Sequence, residues 1–133
     1  MPVLRMPRQL FPTLIFLVLL NCCSHPSQLD DPELVNSFRF SPSAFDSFKS
    51  NAEMRYTLKI PVALNAFILK SDPTGKEFLV KTLAINAAES KGSHAHTWLG
   101  DTNDELFAPP GLYIGVIQIQ ERRFESTVLV FHY

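Results

Sequence analysis

Residues 53–60 read EMRYTLKI. Met54, Tyr56, Leu58 and Ile60 fall on one side of this stretch, and Glu53, Arg55, Thr57 and Lys59 on the other. Successive side chains of a strand point to opposite faces, so strict alternation marks a half-buried antiparallel strand. The same period continues in both directions. Upstream, SFRFSPS (37–43) alternates Phe38 and Phe40 before Pro42 ends the run. Downstream of Pro61, VALNAFILK (62–70) is apolar on both faces in its second half, as expected of a central strand. SDPTGK (71–76) is a turn, with Asp72 and Pro73 to initiate it and Gly75 free to take positive φ. KEFLVKTLAI (76–85) is the next strand, AESKGSH (88–94) breaks it, and HAHTWLG (94–100) forms another. GLYIGVIQIQ (111–120) and RFESTVLVFHY (123–133) are strands separated by the charged turn Glu121-Arg122-Arg123. Glu33 to Phe48 and Ala84 to Glu89 could each hold a helical turn, but neither sustains an apolar stripe of helical period. About seven short strands with turn signals at roughly ten-residue spacing predict an all-β, antiparallel sandwich.

The first residues follow a different rule. Arg5 and Arg8 precede an apolar run from Leu10 to Leu20, interrupted by Pro12 and Thr13, and no acidic residue occurs before Asp30. A run of this length fits the core of a secretory signal and falls short of the roughly 20 apolar residues of a membrane span. It ends Leu19-Leu20-Asn21-Cys22, which resembles a bacterial lipobox, with a leucine three residues before a cysteine. The resemblance implies a signal peptide over 1–21, lipidation of the Cys22 thiol, and a membrane anchor there. Cys23 is a bystander, because a disulfide between adjacent cysteines is strained and staples nothing. Residues 22–36, polar with two prolines, read as a tether, and 37–133 as the domain. Beyond the signal, ten Lys and Arg stand against thirteen Asp and Glu, a net charge near −3. That balance carries no electrostatic footprint for nucleic acid and no polybasic tract for anionic lipid. With no cysteine inside the domain, an apolar core must hold it, and nine phenylalanines, Trp98 and three tyrosines are available.

Several short motifs follow one another along the chain. They are Tyr56 and Leu58, Asp72 and Gly75, Thr82 and Leu83, Gly92 and His94, Trp98 and Gly100, and Gly111 with Tyr113. Over residues 38 to 119 the chain resembles the immunoglobulin-like domain of bacterial flagellar hook-capping proteins and its relatives in secreted and surface proteins. It departs from them at Leu99, where an aspartate is usual, and in DTNDELFAPP (101–110), which lacks a glycine before the last motif. The resemblance implies an immunoglobulin-like or fibronectin-III-like sandwich that serves assembly or attachment without catalysis, and fold alone does not set function.

Few residues suggest chemistry. His94 and His96 alternate to one side of a strand and, with Asp101, are the candidate metal ligands, though no third ligand on a fixed element can be named. Asp101, Asn103 and Glu105 supply alternating oxygens, but Leu106 stands where a calcium loop needs glycine. No G-x-S-x-G elbow, Walker motif or dinucleotide fingerprint is present. Asp30 and Asp31 lie in the tether, where nothing rigid could hold two carboxylates at a working separation. No cofactor is expected, and the reading is not that of an enzyme. Trp98 is expected to span the two sheets, Tyr113 to be structural, and Gly75 and Gly111 to serve turns. Phe124, Val128, Val130 and His132 share a face of the last strand, whose backbone could accept a partner strand if it lies at an edge. The expected function is a lipid-anchored cell-envelope module, at the outer membrane or cell surface, that binds a protein partner or extracellular ligand. The alternatives are a periplasm-facing scaffold subunit and, least favoured, a metal-dependent enzyme built on His94 and His96.

Overall fold

A computed structural model describes residues 34–133. The expected signal, Cys22 and most of the tether lie outside the described residues. The described chain is all-β. Its strands are β1 (Val35–Ser41), β2 (Ala44–Asp46), β3 (Ala52–Leu58), β4 (Val62–Ser71), β5 (Glu77–Glu89), β6 (Gly92–Trp98), β7 (Gly111–Ile119) and β8 (Arg122–Phe131). They form a three-stranded sheet, β1-β3-β6, and a five-stranded sheet, β2-β8-β7-β4-β5. Neighbours are antiparallel, with one exception: β2 runs parallel to β8.

Three expectations are corrected. The domain begins before residue 37, because Leu34 and Val35 are buried and Val35 already pairs with Leu58. Ala84 to Glu89 is strand, the end of a β5 that pairs with β4 as far as Val62↔Glu89 through several bulges. The eighth strand, β2, is only three residues long and carries no readable alternation. It pairs through Leu129 to Phe131, so β8 is covered there and is an edge only in its first half.

The alternation in the sequence becomes the core directly. Ala52, Met54, Tyr56 and Leu58 of β3 are buried, as are Leu64, Ala66 and Ile68 of β4, and Val128 and Val130 of β8. Burying each large apolar side chain stabilises the fold by about 1.5–3 kcal/mol. The sheets meet face to face. Trp98 of β6 is fully buried, with its ring 5.7 Å from that of Phe45 on β2 and 5.3 Å from that of Tyr113 on β7. Its indole N–H donates to the Asp101 carbonyl at 2.9 Å, and the Tyr113 hydroxyl donates to the Pro109 carbonyl. At Gly115 the sheets approach so closely that a Cβ would lie 2.5 Å from the Phe40 ring. Gly75 takes φ +90° in the β4–β5 turn, where the Asp72 carboxylate accepts from Thr74 and Lys76 N–H at 2.9 Å each. Gly111 opens β7 opposite Val130.

The strand directions give the domain two ends. The chain enters beside the end of β3, where Lys59 N–H donates to the Leu34 carbonyl at 3.0 Å. The β2–β3 and β6–β7 connections and the carboxyl end of β8 gather at the opposite end.

Candidate functional site

His94 and His96 alternate with Trp98 on the inner side of β6, facing Tyr56 and Met54 across the ladder. Trp98 is at the closed part of the core, whereas the two histidines lie near the seam between the sheets. There the end of β5 contributes Glu89. The Tyr56 hydroxyl donates to the Glu89 carboxylate and lies 2.9 Å from His96 Nε2. A phenol has one proton, so with that proton on Glu89 the His96 nitrogen must be the donor to the phenolic oxygen. Burial holds the His96 pKa below the ordinary value, which favours the neutral ring with its proton on Nε2. Burial first, and the adjacent Glu89 carboxylate second, push the Tyr56 phenol far up, so it stays protonated. His94 donates through Nε2 to the Ser90 carbonyl at 2.7 Å and turns Nδ1 toward Glu89 at 3.7 Å. Both imidazoles stack on Tyr56 with ring centroids 5.7 Å apart. The cluster ties β3 and β6 of one sheet to the end of β5 in the other through Tyr56, His96 and Glu89. Within it the Tyr56 phenol is held protonated and the His96 imidazole neutral.

Asp101 does not join the histidines. Its carboxylate meets Lys81 of β5 at 2.7 Å, in the loop after β6. Among the described residues, no group of three or more His, Cys, Asp or Glu side chains is placed to hold a metal ion. Asn103, two residues on, works as a strand cap. Its N–H donates to the Val80 carbonyl at 2.9 Å, and its side-chain oxygen accepts from Thr82 N–H at 3.0 Å. It thus occupies the free edge of β5, satisfying backbone groups that an edge strand would otherwise offer to another chain.

Two apolar surfaces went unread in the sequence. One lies at the end opposite the chain's entry. Phe48, Leu99, Leu106 and Phe107 are each more than half exposed there, around a concavity of about 450 Å³ also lined by Lys49 and Glu105. Phe48 meets Phe107 edge-on at 4.6 Å and stacks on His132 at 4.0 Å, and His132 Nε2 is 2.8 Å from the Ser47 hydroxyl. The loop is tied by the Thr102 hydroxyl, which accepts from Asp104 and Leu106 N–H at 3.2 and 3.3 Å. The signal that could have found this surface is the pair Leu106-Phe107 inside an otherwise polar loop.

The second surface is the outer face of the five-stranded sheet. Register places Leu112 opposite Leu129, Ile114 opposite Leu69, Leu69 opposite Leu79, and Val116 opposite Phe67. Ile85 adds an exposed apolar side chain near Phe67, Leu69 and Leu79. Arg123 of β8 crosses this face to grip Glu77 of β5 at 2.7 and 2.9 Å, and it also meets Glu125 at 2.6 Å. That grip drives the Glu77 carboxyl below its usual range. By contrast, Glu53, Arg55 and Thr57 put polar groups on the outer face of the three-stranded sheet.

No protein-family model matches this chain, and no curated protein matches it in sequence.

Proposed function

We propose that the protein is a non-catalytic binding module of the bacterial cell envelope, anchored through lipid on Cys22. Its immunoglobulin-like sandwich presents the Phe48–Leu106–Phe107 end to a protein partner. The observation that carries this reading is an exposed apolar cluster at the end of the domain opposite the chain's entry at Leu34. Apolar patches of this kind on a small domain mark interaction sites. Lys49 and Glu105 line the same concavity, so the apolar anchor of a partner segment would meet a rim of mixed charge. The immunoglobulin-like assignment is supported by the chain crossing between sheets from β3 to β4 and from β6 to β7.

A photo-crosslinking residue at Leu106, introduced in cells, is expected to give one discrete protein adduct. The same residue at Thr97, on the polar sheet face, is expected to give none. Absence of an adduct at Leu106, or equal adducts at both positions, would remove the basis of the proposal. The second reading, a scaffold subunit docking through a sheet, is favoured by the Leu112–Leu129 and Leu69–Leu79 ladders. It takes precedence if crosslinks form from Leu129 and not from Leu106.

A further inference from the structure

The polar face of the three-stranded sheet carries an arrangement that the chain's overall charge does not suggest. Arg39 of β1 and Arg55 of β3 are direct register partners, pointing the same way from adjacent antiparallel strands. Directly opposed side chains stand about 4.5–5.5 Å apart at Cβ, and like charges there are destabilising. A sequence with an acidic balance beyond residue 22 has no shortage of carboxylates to place beside them. Yet only Arg55 is matched: its Nε donates to Glu53 at 3.0 Å, and Nη2 donates to the same oxygen. Arg39 makes no ion pair among the described residues. Beside the two guanidinium groups lies a groove of about 330 Å³, also lined by Ser37, Thr57 and Ser93. The Thr57 and Ser93 hydroxyls are 3.4 Å apart, on strands paired at Thr57↔Ser93. At the mouth, β1 is bulged between Asn36 and Arg39, and Ser37 takes φ 54°.

We infer that Arg39 and Arg55, with the Thr57 and Ser93 hydroxyls, form a binding site for a phosphate-type oxyanion. Guanidinium forks match the paired oxygens of a phosphate, and hydroxyl donors satisfy the remaining acceptors. An anion held between the two arginines turns a repulsive cross-strand pair into a shared counter-ion. The oxyanion is either a soluble phosphate group or the headgroup phosphate of an anionic lipid. The site is independent of the apolar end: it rests on different residues and a different sheet.

The test uses the full chain in dodecyl maltoside, titrated with sodium phosphate against sodium chloride at matched ionic strength. The NMR signals of the Arg39 and Arg55 Nε–H groups report binding, with Arg123, already held by Glu77, as reference. Saturable shifts confined to Arg39 and Arg55 are expected. Affinity should fall about tenfold or more in Arg39→Gln or Arg55→Gln, since each removes charge-assisted hydrogen bonds. It should rise in Glu53→Gln, which removes the competing carboxylate. A second arm places the chain in nanodiscs of phosphatidylcholine with or without phosphatidylglycerol. The same shifts appearing on phosphatidylglycerol alone would identify a headgroup as the source, and their appearance only with added phosphate would identify a soluble anion. No saturable shift in either arm, or an undiminished response in both arginine variants, would overturn the site. Arg39→Gln should not lower the melting temperature without ligand, so loss of binding cannot be ascribed to unfolding.

Discussion

Gly115 shows how a single side chain sets the spacing of the sheets. A methyl group there would meet Phe40 at 2.5 Å and the Met54 sulfur at 2.8 Å, both from the opposite sheet. Gly115→Ala is therefore expected to destabilise the domain by about 1–3 kcal/mol, as overpacking does. Urea unfolding measures it, and an unchanged midpoint would contradict the close approach. His96 makes a second residue-scale prediction. Burial holds its folded pKa below the ordinary value near 6.5, so the unfolded chain takes up a proton that the folded chain resists. The contribution is complete above pH 6.5 and is lost progressively as pH falls below it. Stability should thus decline on mild acidification, and His96→Gln should flatten that slope between pH 6.5 and 5. A slope unchanged by the substitution would place the acid sensitivity elsewhere.

At the scale of elements, β5 is a 13-residue strand at the border of the larger sheet. A long edge strand invites pairing with other chains, and Asn103 blocks it by bonding to Val80 and Thr82. Asn103→Ala leaves Thr82 N–H without its acceptor, at a cost of about 1 kcal/mol. The larger expected effect is faster aggregation, followed by light scattering under conditions where the parent protein stays clear. Equal scattering would mean that β5 is protected by its bulges alone. Asp101, a few residues away, tightens the same loop through Lys81, the position where alternating oxygens suggested a ligand set.

For the whole molecule, the anchor and the exposed end work together in the proposed function. Cys22→Ser is expected to move the protein from the membrane fraction to the soluble fraction on cell fractionation, and retention in the membrane would refute lipidation as the anchor. Charge pairing on the sheet's outer face also depends on long-range geometry: Arg123 meets Glu77 although β7 and β4 lie between their strands.

Period-two alternation made the all-β class, the positions of the longer strands and the inward set of residues legible, as at 53–60, because side-chain alternation is a property of local backbone geometry. Three-residue β2 was too short to show a period, and only the end of β5, beyond residue 85, went unread, where register shifts against β4 break the alternation that marks a strand. Register was not legible, and register brought Glu89 to His94 and His96, Arg39 opposite Arg55, Lys81 to Asp101, and the leucines of four strands onto one face. These juxtapositions are set by which strands pair and where, a choice made by burying many side chains at once. By itself, then, the sequence determined what kind of element each stretch forms and which side of it is buried. The tertiary structure alone decided which residues meet, because contacts between distant strands depend on the packing of the whole core.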